Sequence, residues 1–95
     1  MSKLRDAARG QNCEIRVPGI CRHDADTVVL CHYRLSGLNG VGMKPLDICG
    51  AYGCSDCHSA VDGRLKTGFT RDELRLMHAE GVMRTLTLAH KRGLL

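Results

Sequence analysis

The stretch Cys54-Ser-Asp-Cys57-His58 sets two thiols three positions apart with an imidazole directly behind them. Two cysteines at this spacing can turn both sulfurs toward one tetrahedral metal ion, and backbone amides at such a turn favour the thiolate. A closed zinc site takes two further ligands. Cys13 and Cys21 are separated by seven residues with Pro18-Gly19 between them, a turn that folds the segment back and brings its sulfurs together. We therefore expect Cys13, Cys21, Cys54 and Cys57 to hold a structural zinc ion, with His23 as the competing ligand. Cys31 and Cys49 each stand alone in an apolar, strand-like stretch and read as small buried hydrophobes. A covalent haem anchor or a redox dithiol would share the same letters. The first belongs to exported proteins and the second to a βαβ pattern, and this chain offers neither context.

The histidines carry the other chemistry. His58 has Asp62 four residues on, so a helix places both on one face. There they can share a divalent metal, or His58 can bond a backbone carbonyl while Asp62 caps a turn with Gly63. His32 ends an apolar run, where a polar ring is costly unless it is satisfied or useful. An imidazole there can take a proton from water as it attacks phosphorus, with a nearby metal neutralising the developing charge. His78 and His90 fall in the C-terminal segment, away from this cluster, and read as surface or packing residues.

These residues need elements to position them. Lys3 to Arg9 suits two helical turns ended by Gly10, and Glu14 to Val17 a short extended piece. Thr27 to Leu35 is the strongest strand, with Val28, Leu30 and His32 on one face and Val29, Cys31 and Tyr33 on the other. A glycine-rich loop over Ser36 to Pro45 leads to a returning strand over Asp47 to Tyr52. A short helix runs from Ser55 to about Val61 and stops at Gly63. Thr70 and Glu73 form a capping box for a terminal helix with Leu74, Met77, Val82, Leu86 and Ala89 along its apolar stripe. Gly81 inside that helix marks a kink or a close approach.

At 95 residues the chain is expected to form one domain, 1–95, of α+β class. Tyr33, Tyr52 and Phe69 are its only Phe, Tyr or Trp residues, and this shortage of large core side chains makes a metal staple matter. The same scarcity argues against a single-strand stacking platform. A net charge of +4, carried mostly by arginine, makes nucleic acid the leading macromolecular partner. The polar start of the chain leads us to expect no secretory signal and a cytoplasmic location. Six cysteines in that reducing compartment favour metal binding or catalysis over disulfides. No apolar run reaches ~18 residues, so no membrane span is expected.

Histidine on a first strand, a glycine-rich connection, a returning strand and a helix bearing C-x-x-C-H together resemble the HNH, or ββα-metal, nuclease superfamily. More narrowly, the chain resembles the small prophage-encoded YbcO-like nucleases. The matching residues are SKLRDAARGQNC, C-x-x-x-x-P-G-x-C, L-x-H at His32, G-x-G-x-K-P-x-D through Asp47, and C-S-x-C-H-x-x-x-D. The resemblance implies a zinc-stapled ββα-metal fold flanked by an N-terminal helical segment and a C-terminal helix, acting on DNA as an endonuclease or nickase. By that likeness His32 is the general base. His58 is a ligand of a Mg²⁺-like catalytic ion, with Asp62 or Asp47 in support, and Arg34, Lys44 and Arg64 flank the site to grip phosphates. Two features depart from the superfamily pattern. Cys31 stands where many HNH enzymes carry Asp or His, and the middle Asn has only Asn39 or Asp47 as counterpart. The competing reading is a non-catalytic zinc module that binds DNA or a phage protein.

Overall fold

The apolar run before His32 pairs with the segment after Cys49 to make one short hairpin. In the computed structural model, which describes residues 2–35 and 45–95, β1 (Val29–His32) and β2 (Gly50–Gly53) run antiparallel. The register sets Leu30 opposite Tyr52 and His32 opposite Gly50. Both strands are shorter than the sequence suggests. Asp24 caps a 3₁₀ turn over Ala25–Thr27 through its side chain, and this turn delays the start of β1. A second 3₁₀ turn, Asp47–Cys49, replaces the first half of the expected returning strand. That turn directs Asp47 back toward His32. Lys44 and Asn39 lie outside the described residues.

Two strands do not make a stable sheet alone, so β2 needs partners on its free edge. Its Tyr52 N–H donates to the Thr85 hydroxyl at 2.9 Å, and its carbonyl accepts from Glu14 N–H at 2.7 Å. The Tyr52 hydroxyl in turn donates to the Leu4 carbonyl at 2.6 Å, tying down α1 (Lys3–Asp6). α1 is a single turn capped by Ser2, shorter than the expected run to Arg9.

Two helices complete this small α+β arrangement. α2 (Ser55–Val61) follows β2 directly, with Cys54 at its N-cap and Asp62 at its C-cap, as its sequence boundaries indicated. α3 (Arg71–Lys91) opens with the capping box: Thr70 accepts from Glu73 N–H while the Glu73 carboxylate accepts from Thr70 N–H. Its most buried line is His78, Gly81, Thr85 and Ala89, rather than the larger apolar residues expected there. Leu74, Met77 and Val82 pack at the margin of the core. The reason is closeness. A Cβ on Gly81 would stand 3.1 Å from the Glu14 carbonyl oxygen and 3.2 Å from Ala51 Cβ, so this glycine marks close packing inside an unbroken helix.

The core joins Leu4, Ile15, Val17, Val28 and Tyr52 with four buried cysteines, Cys13, Cys31, Cys54 and Cys57. Among the described residues, no helix is long and apolar enough to cross a membrane.

Candidate active site and metal centre

The start of α2 and the loop over Cys13–Cys21 bring four sulfurs together. The Sγ atoms of Cys13, Cys21, Cys54 and Cys57 all lie within 4.8 Å of one another, and none is in a disulfide. Cys21 Sγ and Cys54 Sγ are 3.8 Å apart. A tetrahedron with metal–sulfur bonds of about 2.3 Å has edges of about 3.8 Å, so the spacing fits one ion such as zinc. The thiol chemistry agrees. Hydrogen bonding with Cys57 holds the Cys13 thiol down to about 4, while Cys57, sharing that bond and buried, is pushed far up. Burial raises Cys21 to about 11. Thiols so close cannot all ionise without a cation among them.

Backbone geometry is turned to the same end. Arg16 and His23 are the two non-glycine residues with positive φ among the described residues, at 58° and 54°. Each sits just past a cysteine and aims its amide at sulfur: Arg16 toward Cys13, and His23 toward Cys21 at 3.4 Å. His23, the competing ligand, is exposed and stands outside the four-donor group, its Nδ1 3.7 Å from Cys21 Sγ. Cys31 is the inert hydrophobe expected. Burial lifts its thiol to about 12 against Gly53, where a Cβ would fall 2.9 Å from its sulfur. Cys49 is only half-buried.

Consecutive residues on α2 face different ways, and while Cys57 points to the sulfurs, His58 points to a groove on the other side. Leu30, His32, Arg34, His58, Asp62 and Arg64 line this groove, a cavity of about 520 Å³. β1 supplies Leu30 and His32, the segment just past it Arg34, and α2 with the residues that follow it His58, Asp62 and Arg64. Helical spacing pairs His58 Nε2 with Asp62 Oδ2 at 3.1 Å, and Arg64 reaches the same carboxylate oxygen at 3.2 Å.

His32 has a partner of its own. Its Nε2 is 2.8 Å from Asp47 Oδ1, and the other Asp47 oxygen accepts the Ser2 hydroxyl. These hydrogen bonds, Ser2 first and His32 second, keep the Asp47 carboxyl below its usual range. An ionised Asp47 can only accept, so Nε2 carries the proton and donates it, and the Nδ1 lone pair is left for other use.

The groove thus gathers His32, His58, Asp62, Arg34 and Arg64, while Asp47 stands behind His32. Ser2 was missed by sequence reasoning, since nothing local marks a terminal serine as the partner of a residue 45 positions on. His78 needs correction. It does not lie away from the cluster: its Nε2–H donates to the carbonyl of Cys31, next to His32, at 2.8 Å, and it lines a second cavity with His32. Burial lowers its pKa and keeps it neutral. His90 is exposed at the far end of α3.

Residues 2–94 match the family model described as "Putative nuclease YbcO". A protein of Escherichia coli (strain K12) with that name is 39% identical over 98 residues, covering 100% of this chain and 98% of the relative. A protein of Enterobacteria phage 82 with the same name shows the same identity and coverage. The solved "Structure of a putative bacteriophage protein from Escherichia coli str. K-12 substr. MG1655" superposes with a TM-score of 0.81 at 33% identity, covering 96% of this chain and 100% of that one.

Proposed function

Given that the chain belongs to the family described as "Putative nuclease YbcO", we propose that it is a metal-dependent DNA endonuclease or nickase of the HNH type, acting as one domain over 1–95. The observation that carries this reading is the groove in which His32, His58 and Asp62 stand between two arginines. Its setting also fits: a histidine-bearing first strand, a second strand and a helix, in the order ββα.

His32 acts as general base. Asp47 holds Nε2–H, so Nδ1 accepts the proton of a water as its oxygen attacks phosphorus. The opposite P–O bond breaks, and the leaving sugar oxygen keeps its electron pair and takes up a proton from solvent. Arg34 and Arg64 grip the non-bridging phosphate oxygens with their planar forks. His58 and Asp62 would hold a Mg²⁺-like ion, a pair that suits an ion completing its shell with water and phosphate. Bound there, such an ion supplies charge neutralisation at the phosphate. The four cysteines would hold zinc, and a closed four-thiolate site has no open position, so that ion serves the fold alone.

The test is nicking of supercoiled plasmid by zinc-loaded protein with Mg²⁺ or Mn²⁺. His32→Ala and His58→Ala should each lose nicking with zinc content unchanged. Undiminished nicking by His32→Ala would overturn the assignment. Salt-dependent DNA binding with no cleavage by the wild type would favour a binding module instead.

A further inference from the structure

The chain has three Phe and Tyr residues and no Trp, and two of the three line one cavity. Tyr52 is spent in the core, at 0% exposure. Tyr33 and Phe69 instead border a cavity of about 450 Å³ beside the histidine groove. The two spaces share His32, Arg34 and Asp62 among their lining residues, so they lie side by side. Arg34, Arg71 and Arg75 stand around the second cavity, and Asp62 is the one acid among its lining residues. Arg75 Cζ lies 4.8 Å from the centroid of the Tyr33 ring, and the His78 ring meets Tyr33 edge-on at 5.1 Å. Tyr33 is therefore held in place from two sides.

A phosphate alone would leave the apolar walls of Leu65, Phe69 and Leu74 without a partner, and the space is far larger than one phosphate needs. Aromatic and apolar walls with arginines at the rim match a nucleotide: a base face against the ring and an adjoining phosphate on the cations. A base stacked in an intact duplex cannot present its face this way. We propose that this cavity is a nucleotide subsite, which takes one unstacked base next to the phosphodiester held in the histidine groove. It is a seat for a single base, where the shortage of aromatic residues argues only against a platform stacking several. The substrate is then DNA that is single-stranded or distorted at that position. This rests on the nuclease reading and adds to it a substrate class.

The test is binding without divalent ion, which separates it from cleavage. Anisotropy of a labelled single-stranded oligonucleotide is read against a set in which one base at a time is replaced by an abasic site. Loss of the one critical base should weaken binding about tenfold, with little effect at its neighbours. In Arg75→Gln and in Phe69→Leu, intact and abasic strands should bind alike. Binding that is indifferent to the abasic site at every position overturns the subsite and leaves the nuclease reading standing. A wild type that neither binds nor nicks any DNA overturns both.

Discussion

Asp47 meets His32 at the mouth of the hairpin, Oδ1 to Nε2 at 2.8 Å, and its other oxygen takes the Ser2 hydroxyl. A residue before the second strand and one at the chain start thus fix the ring at the end of the first. Both carboxylate oxygens are thus engaged, and under the proposed chemistry Asp47 positions His32. Asp47→Asn keeps the shape but permits the wrong tautomer, in which Nδ1 carries the proton. Nicking should fall by at least about tenfold, with DNA affinity and zinc content unchanged. Single-turnover kinetics beside a binding titration measure this, and a loss seen only in affinity would remove Asp47 from the positioning role.

The same contacts make a pH prediction. The folded Asp47 carboxyl titrates below its ordinary value of 3.8. A group harder to protonate in the folded state stabilises the fold above the unfolded pKa and loses that contribution as pH falls through the folded one. Wild type should therefore exceed Asp47→Asn in stability at neutral pH, and the gap should narrow as pH drops below about 4. The comparison is made in saturating zinc and stops at the pH where the ion leaves both proteins, since the chain is expected to unfold without it. Urea titrations at stepped pH give the gap, and one that stays constant contradicts the account.

Removing the ion from the four sulfurs should unfold the chain. Three of these cysteines are buried and two flank the first turn of α2, so the empty cluster leaves crowded thiols in the core. Binding energies of structural zinc sites, about 10–16 kcal/mol in small peptides, exceed the stability of a domain this size. A strong chelator is expected to abolish cooperative thermal unfolding by circular dichroism, in step with loss of one zinc per chain. A chelated chain that still melts cooperatively at the same temperature would refute the staple.

Gly81→Ala sets helix propensity against space. Alanine gains about 1 kcal/mol in a free helix. Here its Cβ meets the Glu14 carbonyl oxygen and Ile15 Cα, both at 3.1 Å. That backbone is pinned, since Arg84 Nε–H donates to the Glu14 carbonyl at 2.8 Å and Cys13 is in the sulfur cluster. We expect net destabilisation of about 1–2 kcal/mol, read from denaturant midpoints. A more stable variant would show that the Glu14–Ile15 segment yields.

Features encoded by short-range spacing were legible in the sequence. Cys54 and Cys57 needed only one turn, Cys13 and Cys21 a Pro-Gly reversal, His58 and Asp62 a helical period, and Thr70 with Glu73 a capping box. Contacts made by chain reversal were not. Nothing near Ser2 or Arg84 indicates that they reach Asp47 and the Glu14 carbonyl. The buried line of α3 was misread because it is built of small and polar residues. Thr85 is there for its hydroxyl and Gly81 for its lack of a side chain, whereas Leu76 and Met83 of the same helix stay exposed.

Cys57 and His58 are neighbours, joined by a single peptide bond in α2. Under the proposed chemistry, the sulfur-held ion and the reacting centre therefore cannot be assembled separately. On that reading a newly synthesised chain is inert toward DNA until the four sulfurs capture their ion, and a chain that loses it falls silent again. For a protein proposed to cut DNA, that dependence works as a safety catch, set by metal supply rather than by any inhibitor.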